Sequence, residues 1–161
     1  MKITDAFLGE HAMLYAQFAH LEQVTPSAET VDVVRSLAST LNATLISHAN
    51  LEDELLFSAL GPIGPVVVMR MEHAQIEDLL GAVPGARELH QAQNLLTQAL
   101  QLARNHFSKE EQVLFPLSER MLDRNVLAEL AIRWADRRGV LYVCRGRMQL
   151  LQRETIVRYC P

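Results

Sequence analysis

One segment of the chain occurs twice, in a form that restricts the fold. It reads His48-Ala-Asn-Leu-Glu52-Asp-Glu-Leu-Leu-Phe57 and returns 58 residues later as His106-Phe-Ser-Lys-Glu110-Glu-Gln-Val-Leu-Phe115. Residues four apart on an α-helix lie on the same face. Each copy therefore predicts an imidazole and a carboxylate that point in one direction, with Leu55 or Val113 continuing that face inward.

A second repeat indicates two related halves. Glu10-His11-Ala12 returns as Glu72-His73-Ala74, and Glu77 lies four residues after His73. Three of the 6 histidines thus have Glu at the fourth position, whereas 19 acidic residues in 161 predict fewer than one such pair by chance. A single exposed pair would be an ordinary helix-surface contact. The apolar neighbours place these pairs on inward faces, where unpaired His and Glu cost several kcal/mol. The pattern predicts a metal site.

Composition favours one all-α domain of a cytoplasmic protein. A length of 161 residues fits a single domain, and the few glycines and prolines fall mostly in predicted turns. The chain has no apolar run of about 18 residues, so we expect no membrane contact. Its first residues are unlike a signal peptide. Cys144 and Cys160 predict neither a disulfide framework nor a cysteine metal site.

Charge divides the chain in two. Residues 1–120 hold 7 Lys or Arg against 15 Asp or Glu, whereas residues 121–161 hold 8 Arg against 4 acidic residues. We predict a bundle over 1–120 and an Arg-rich extension over 121–161. The arginines of the extension are scattered, which argues against nucleic-acid binding. An extension folded over its own acidic bundle is favoured, and a protein partner or homodimer through the extension is the alternative.

Apolar periodicity predicts four long helices with short connections, which favours an up-down-up-down antiparallel four-helix bundle. The predicted ranges are residues 4–24, 27–60, 65–80 and 87–120. On the fourth helix the predicted inward residues are Leu95, Leu102, His106, Glu110, Val113 and Leu117. Pro116 is expected to kink the last turns of that helix. Residues 123–137 predict a fifth helix, and residues 140–144 and 155–159 have strand-like composition.

The quoted residues resemble the hemerythrin-like (HHE cation-binding) family over about residues 5–120. The shared pattern is a His on helix one, His-x-x-x-Glu on helix two, a His on helix three and His-x-x-x-Glu on helix four. The resemblance implies two iron ions with an oxo or hydroxo bridge inside the bundle, with zinc or a single metal ion as the alternative. It implies His11 and His48 on one iron, His73 and His106 on the other, and Glu52 and Glu110 as bridges.

Glu77 is where the chain departs from the oxygen-carrying hemerythrins, which have His at the corresponding position. If Glu77 is a seventh metal ligand, its negative charge favours ferric iron, and a ferric centre releases O2 poorly. We therefore expect a protein that binds or reduces O2, H2O2 or NO in redox defence or sensing, with catalase- or peroxidase-like turnover as one form. The alternatives are a non-catalytic iron- or oxygen-responsive module acting through a partner, and a bundle that holds metal structurally.

Other polar residues have weaker assignments. Tyr15 lies one turn from His11 and is a candidate catalytic proton donor or metal ligand, with core packing as the alternative. His20 and His90 are predicted to lie on the surface. Glu54 and Glu111 follow the metal ligands on a different helical face and are predicted to be solvated.

Overall fold

The computed structural model describes residues 1–140, which are almost entirely helical. The helices are α1 (Ile3–Val24), α2 (Val31–Leu51), α3 (Gly64–Ala82), α4 (Leu89–Lys109) and α5 (Arg124–Arg138). Two of them continue beyond these bounds. After α2 come a π-helical turn (Glu52–Phe57) and a short α-helical segment (Ser58–Leu60). After α4 come a π-helical turn (Glu110–Leu114) and an α-helical segment (Phe115–Met121). Both cysteines, the segment 155–159 and all but the first residue of 140–144 lie outside the described residues.

The helix ends follow from local chemistry. The Thr30 side chain accepts a hydrogen bond from the Val33 amide at the start of α2, and Asp123 does the same for Asn125 at the start of α5. Gly61 has φ 73°, in the region that glycine tolerates best, and it ends the second long helix. Gly139 has φ 65° and closes α5. The prediction of a fifth helix is therefore confirmed.

The four long helices pack antiparallel, as predicted, and α5 lies across one side of them. It packs against α1 and against the π-helical turn that follows α2. The extension thus lies over the bundle as far as the structure describes it. No helix within residues 1–140 is both long and apolar enough to span a bilayer.

Two apolar clusters fill the bundle, one on each side of a polar layer. The Phe18 cluster includes Phe18, Leu41, Leu96 and Phe107, and the Phe7 cluster includes Phe7, Leu56, Phe57 and Leu114. On each long helix one predicted metal-ligating residue lies between a stretch that joins one cluster and a stretch that joins the other: His11, His48, His73 and Glu110. The apolar core therefore holds the ionisable groups away from both ends of the bundle.

The inward face of the fourth long helix differs from the sequence prediction. Val113 was expected inward, but it is 52% exposed, and Leu114 is fully buried in its place. The reason is the π-helical turn, which has more residues per turn than an α-helix and so rotates the following side chains. Within α4, Leu95 and Leu102 only flank the core, and Leu96 is fully buried.

Pro116 follows this π-helical turn directly, in the second position of the segment Phe115–Met121. Proline has no backbone N–H to donate to the preceding turn. The helix continues through it to Met121, and the departure from α-helical geometry lies in the π-helical turn before the proline.

The rotated face predicts unequal effects for neighbouring substitutions. Leu114→Ala removes a fully buried side chain and should lower the free energy of unfolding by about 2–5 kcal/mol. Val113→Ala, on the exposed side, should lower it by less than about 1 kcal/mol. Urea unfolding of both variants measures the difference. If Val113→Ala lost as much stability as Leu114→Ala or more, Val113 would face the core, as it does on an uninterrupted α-helix.

Candidate metal centre

Six of the seven predicted ligands converge between the two apolar clusters, and these six residues form the polar layer. They form two overlapping groups, and within each group the candidate ligand atoms lie within 4.8 Å of one another. One group is His11, His48, Glu52 and Glu110; the other is Glu52, His73, His106 and Glu110. Both glutamates belong to both groups. Five of the six side chains are at most 2% exposed, and that of His73 is 12% exposed.

In the first group the Nε2 atoms face a common centre. His11 Nε2 lies 3.1 Å from His48 Nε2 and 3.4 Å from Glu110 Oε2. His48 Nε2 lies 3.3 Å from Glu52 Oε1. The stacked ring of Phe107, 3.9 Å from that of His11 between centroids, fixes the orientation of the His11 imidazole.

The second group repeats this arrangement. His73 Nε2 lies 3.4 Å from Glu52 Oε2, and His106 Nε2 lies 3.4 Å from Glu110 Oε2. The two imidazole rings are 4.5 Å apart between centroids. Each glutamate therefore approaches one His pair and the other at the same time.

Both glutamates begin a π-helical turn. Glu52 opens Glu52–Phe57 and Glu110 opens Glu110–Leu114. At the ends of these turns, Ser58 donates its amide hydrogen to the Asp53 carbonyl, and Phe115 donates to the Glu110 carbonyl, each five residues back. Such turns occur frequently at functional sites, since they change which side chains face inward.

Carboxylates outside the layer contact the other nitrogen of three rings. His11 Nδ1 lies 2.9 Å from Glu111 Oε1, and His48 Nδ1 lies 2.6 Å from Glu10 Oε2. A ring that donates its Nδ1–H to a carboxylate presents the Nε2 lone pair on the opposite side, where it can bind a metal.

The second pair of histidines has matching acidic neighbours. His106 Nδ1 lies 3.1 Å from Glu72 Oε2, and Lys109 Nζ donates to the other oxygen of Glu72. His73 Nδ1 lies 3.9 Å from Asp53 Oδ2, at ion-pair distance rather than hydrogen-bond distance. All four imidazoles therefore have a carboxylate on the side away from the centre.

These outer carboxylates were missed from the sequence, although a signal for them was present. Glu10 and Glu72 are the acidic residues of the repeated Glu-His-Ala motif, and Asp53 and Glu111 directly follow the two clustered glutamates. The prediction that Glu111 is merely solvated was wrong: its side chain is 30% exposed and contacts His11. Glu54, also predicted to be solvated, is 36% exposed and pairs with Arg137 of α5.

Glu77 does not join either group. It is exposed and lies at the edge of a cavity beside the second pair of histidines. Tyr15 is half-buried, with its ring 6.4 Å from that of His11 between centroids. Burial and the nearby Glu111 carboxylate raise the pKa of Tyr15 to about 12. His20 and His90 are exposed, as predicted.

The converging atoms have the character of metal ligands. Both carboxylate oxygens of Glu52 and of Glu110 and the Nε2 atoms of His73 and His106 are buried without a hydrogen-bond partner. Unsatisfied buried polar groups are costly, and so many in one place need a cation or protons. Metals such as zinc bind His nitrogen and carboxylate oxygen at about 2.0–2.2 Å, which places neighbouring ligand atoms about 3 Å apart. The observed separations fit such a group.

The charges within the polar layer determine which of its groups are protonated when no metal is bound. Burial alone would lower the pKa of His11, but the Glu110 and Glu52 carboxylates outweigh it and raise that pKa to about 9. Burial also opposes protonation of His48, yet Glu52 and Glu10 raise its pKa to about 10. The pKa of Glu52 in turn lies well below its usual range, because His48 and His11 overcome the opposing effect of burial. Protons on the histidines therefore compete with a metal for this centre.

A cavity of about 100 Å³ reaches the centre from the side. It touches His48, His73 and His106, and its remaining walls come from Asn42, Leu45, Ile46, Ala49, Asn50, Asp53, Ile76, Glu77 and Phe107. A water molecule occupies about 30 Å³ in the liquid, so the cavity holds a few atoms. Sites for drug-sized ligands are several times larger.

A comparison with protein families matches residues 2–118 to the Hemerythrin HHE cation binding domain. The matched range contains all six clustered residues and ends before α5. Neither curated proteins nor solved structures gave a significant match.

The protonated layer predicts a pH-dependent stability for the metal-free protein. The folded-state pKa values of His11 and His48, about 9 and about 10, exceed the unfolded value of about 6.5. Their stabilising contribution is complete below pH 6.5 and is lost as the pH rises through 9 to 10. With chelator present, Tm should fall over this interval by at least about 3 °C, the shift that about 1 kcal/mol produces.

The metal-loaded protein is the control, because its imidazoles are neutral at every pH in this interval. Its Tm should change less than that of the metal-free protein. A metal-free Tm that stays constant or rises between pH 6.5 and 10 would contradict the protonated layer.

Proposed function

The chain belongs to the hemerythrin HHE cation-binding family, and from this premise we propose that the six clustered residues bind two iron ions and that the loaded centre binds or reduces O2, H2O2 or NO. The observation that supports two ions best is the overlap of the two ligand groups. Each group contributes its own pair of histidines, and both groups contain the same two glutamates. A structural zinc site instead closes around one ion with four ligands.

The ligand count favours an open centre. Two six-coordinate ions offer roughly 12 positions. Four imidazoles and two carboxylates that bridge the ions would fill roughly eight of them. Roughly four positions then stay open. Glu77 is exposed and outside both groups, so we do not count its carboxylate among the ligands. Iron held in such a set can exchange electrons with a small ligand at the remaining positions.

The cavity supports a small ligand. At about 100 Å³ it takes a diatomic molecule or a peroxide but excludes most organic substrates. Its contact with His48, His73 and His106 leads directly to the centre. Leu45, Ile76 and Phe107 of the Phe18 cluster are among the walls of the cavity.

Charge around the histidines favours a redox or sensing role over reversible O2 transport. Glu10, Glu72 and Glu111 contact the Nδ1 atoms of three histidines, and Asp53 lies beside the fourth. Carboxylates in this position increase the basicity of the imidazoles and stabilise the higher oxidation state. This effect does not depend on Glu77. It supports a centre that is oxidised readily.

Tyr15 is our candidate proton donor. A pKa of about 12 keeps its hydroxyl protonated near neutral pH, so the side chain has a proton to donate. Its position next to His11 and Glu111 places it at the edge of the first ligand group.

Metal content tests the proposal. Protein from iron-replete cells should contain about two irons per chain, and Glu52→Gln should lose most of both ions, because its carboxylate belongs to both groups. Glu77→Gln is the matched control and should keep both. Elemental analysis measures this directly. About one zinc with no iron in the wild-type protein would refute the di-iron proposal, and loss of iron in Glu77→Gln would make Glu77 a ligand.

Reaction with H2O2 tests the access route. Ile46→Phe places a larger side chain on the wall of the cavity, and we expect it to slow the reaction of the reduced protein on the order of tenfold, or about 1.4 kcal/mol of barrier. Ala43→Phe, at an exposed position of the same helix, should react at the wild-type rate. Stopped-flow absorbance with equal metal loading measures both. An unchanged rate in Ile46→Phe would show that small ligands enter elsewhere.

A further inference from the structure

Glu10 receives more hydrogen bonds than the other outer carboxylates. His48 Nδ1 lies 2.6 Å from its Oε2. Trp134 Nε1 donates to Oε1 at 2.6 Å, Arg138 Nε donates to Oε1 at 2.7 Å, and Arg138 Nη2 donates to Oε2 at 2.8 Å. The carboxylate is thus fixed from two sides, by a candidate ligand on one and by α5 on the other.

The equivalent residue in the second half is held differently. Glu72 contacts His106 as Glu10 contacts His48, but its other partner is Lys109 of α4, within the bundle. The partners of Glu10 instead come from α5, which lies beyond the range matched by the family. The two halves of the centre therefore differ in what orients one of their histidines.

Other contacts of α5 do not involve Glu10. Arg137 Nη2 donates to Glu54 Oε1 at 2.6 Å, and Leu127 and Leu130 are buried in the Phe7 cluster. Docking of α5 and orientation of Glu10 are thus separable, since Arg137 contributes to the first and Arg138 to both.

We propose that Trp134 and Arg138 are positioning residues for the His11–His48 half of the centre. They fix Glu10, and Glu10 fixes the ring and tautomer of His48 for metal binding. The inference rests on the proposed function, because it requires that the clustered residues bind metal. Coupling between sites is reciprocal, so metal at this half strengthens the docking of α5. Metal binding therefore changes how firmly α5, the helix before residues 141–161, is docked on the bundle.

Titration with Zn(II) tests the proposal in the full chain. Zinc is diamagnetic, so NMR signals of the histidine side chains report the filling of each half separately. Arg138→Ala should weaken binding at His11 and His48 by about tenfold, the lower end of the effect of removing a residue that contacts a ligand directly, because Arg138 acts through Glu10. Binding at His73 and His106 should weaken much less, and Lys109→Ala should show the reverse preference.

Arg137→Ala is the control for docking of α5. It removes an ion pair of the same helix without touching Glu10, so it should leave both zinc affinities within about threefold of wild type, a small effect typical of exposed pairs. Arg138→Lys keeps the charge and one donor and should restore part of the affinity. Equal losses at both halves in Arg138→Ala, or no loss at either, would overturn the positioning role.

Hydrogen exchange of the wild-type protein provides a measurement that needs no variant. Amides of residues 124–138 should exchange more slowly with Zn(II) bound than without it, and equal rates would overturn the coupling. A wild-type chain that binds neither Zn(II) nor iron would refute the proposed function as well. Normal wild-type binding together with an unaffected Arg138→Ala variant would refute this inference alone.

Discussion

Six ionisable side chains, five of them buried and that of His73 12% exposed, lie between two apolar clusters, and the rest of the structure depends on neutralising them. Unpaired buried charges cost several kcal/mol each, against a total stability of about 5–15 kcal/mol for a typical domain. The bundle cannot simply tolerate them. Glu52 and Glu110 face four imidazoles and have no hydrogen-bond partners of their own. The two cations that we propose would satisfy these groups together, and without cations the carboxylates raise the pKa of His11 and of His48, which favours protonated histidines.

The outer carboxylates occupy corresponding positions in the two halves of the internal repeat. Each half of the bundle offers an acidic residue before its first histidine and another after its clustered glutamate. The first contacts the histidine of the next helix in its own half, and the second approaches the first histidine of the other half. Each half therefore supplies one carboxylate to a histidine of its own and one to a histidine of the other half. Their main difference is α5, which holds Glu10 on one side, whereas Lys109 holds Glu72 on the other.

The helices and the six converging residues could be predicted from the sequence, because the period of an α-helix connects residue spacing to a face. The same rule failed after Glu110, where a π-helical turn buries Leu114 and exposes Val113. It also could not show that Arg138 reaches Glu10, since these residues are 128 positions apart and no local pattern links them. Glu77 has the spacing of a ligand but is exposed, so spacing alone did not determine which glutamates converge.

Diffraction at the iron absorption edge tests the central claim most directly. Crystals of the iron-loaded protein should show two anomalous peaks about 3–4 Å apart, the usual spacing of two-metal sites. Each peak should contact one pair of histidines, and Glu52 and Glu110 should each contact both. A single peak, or two peaks that share neither glutamate, would contradict the account.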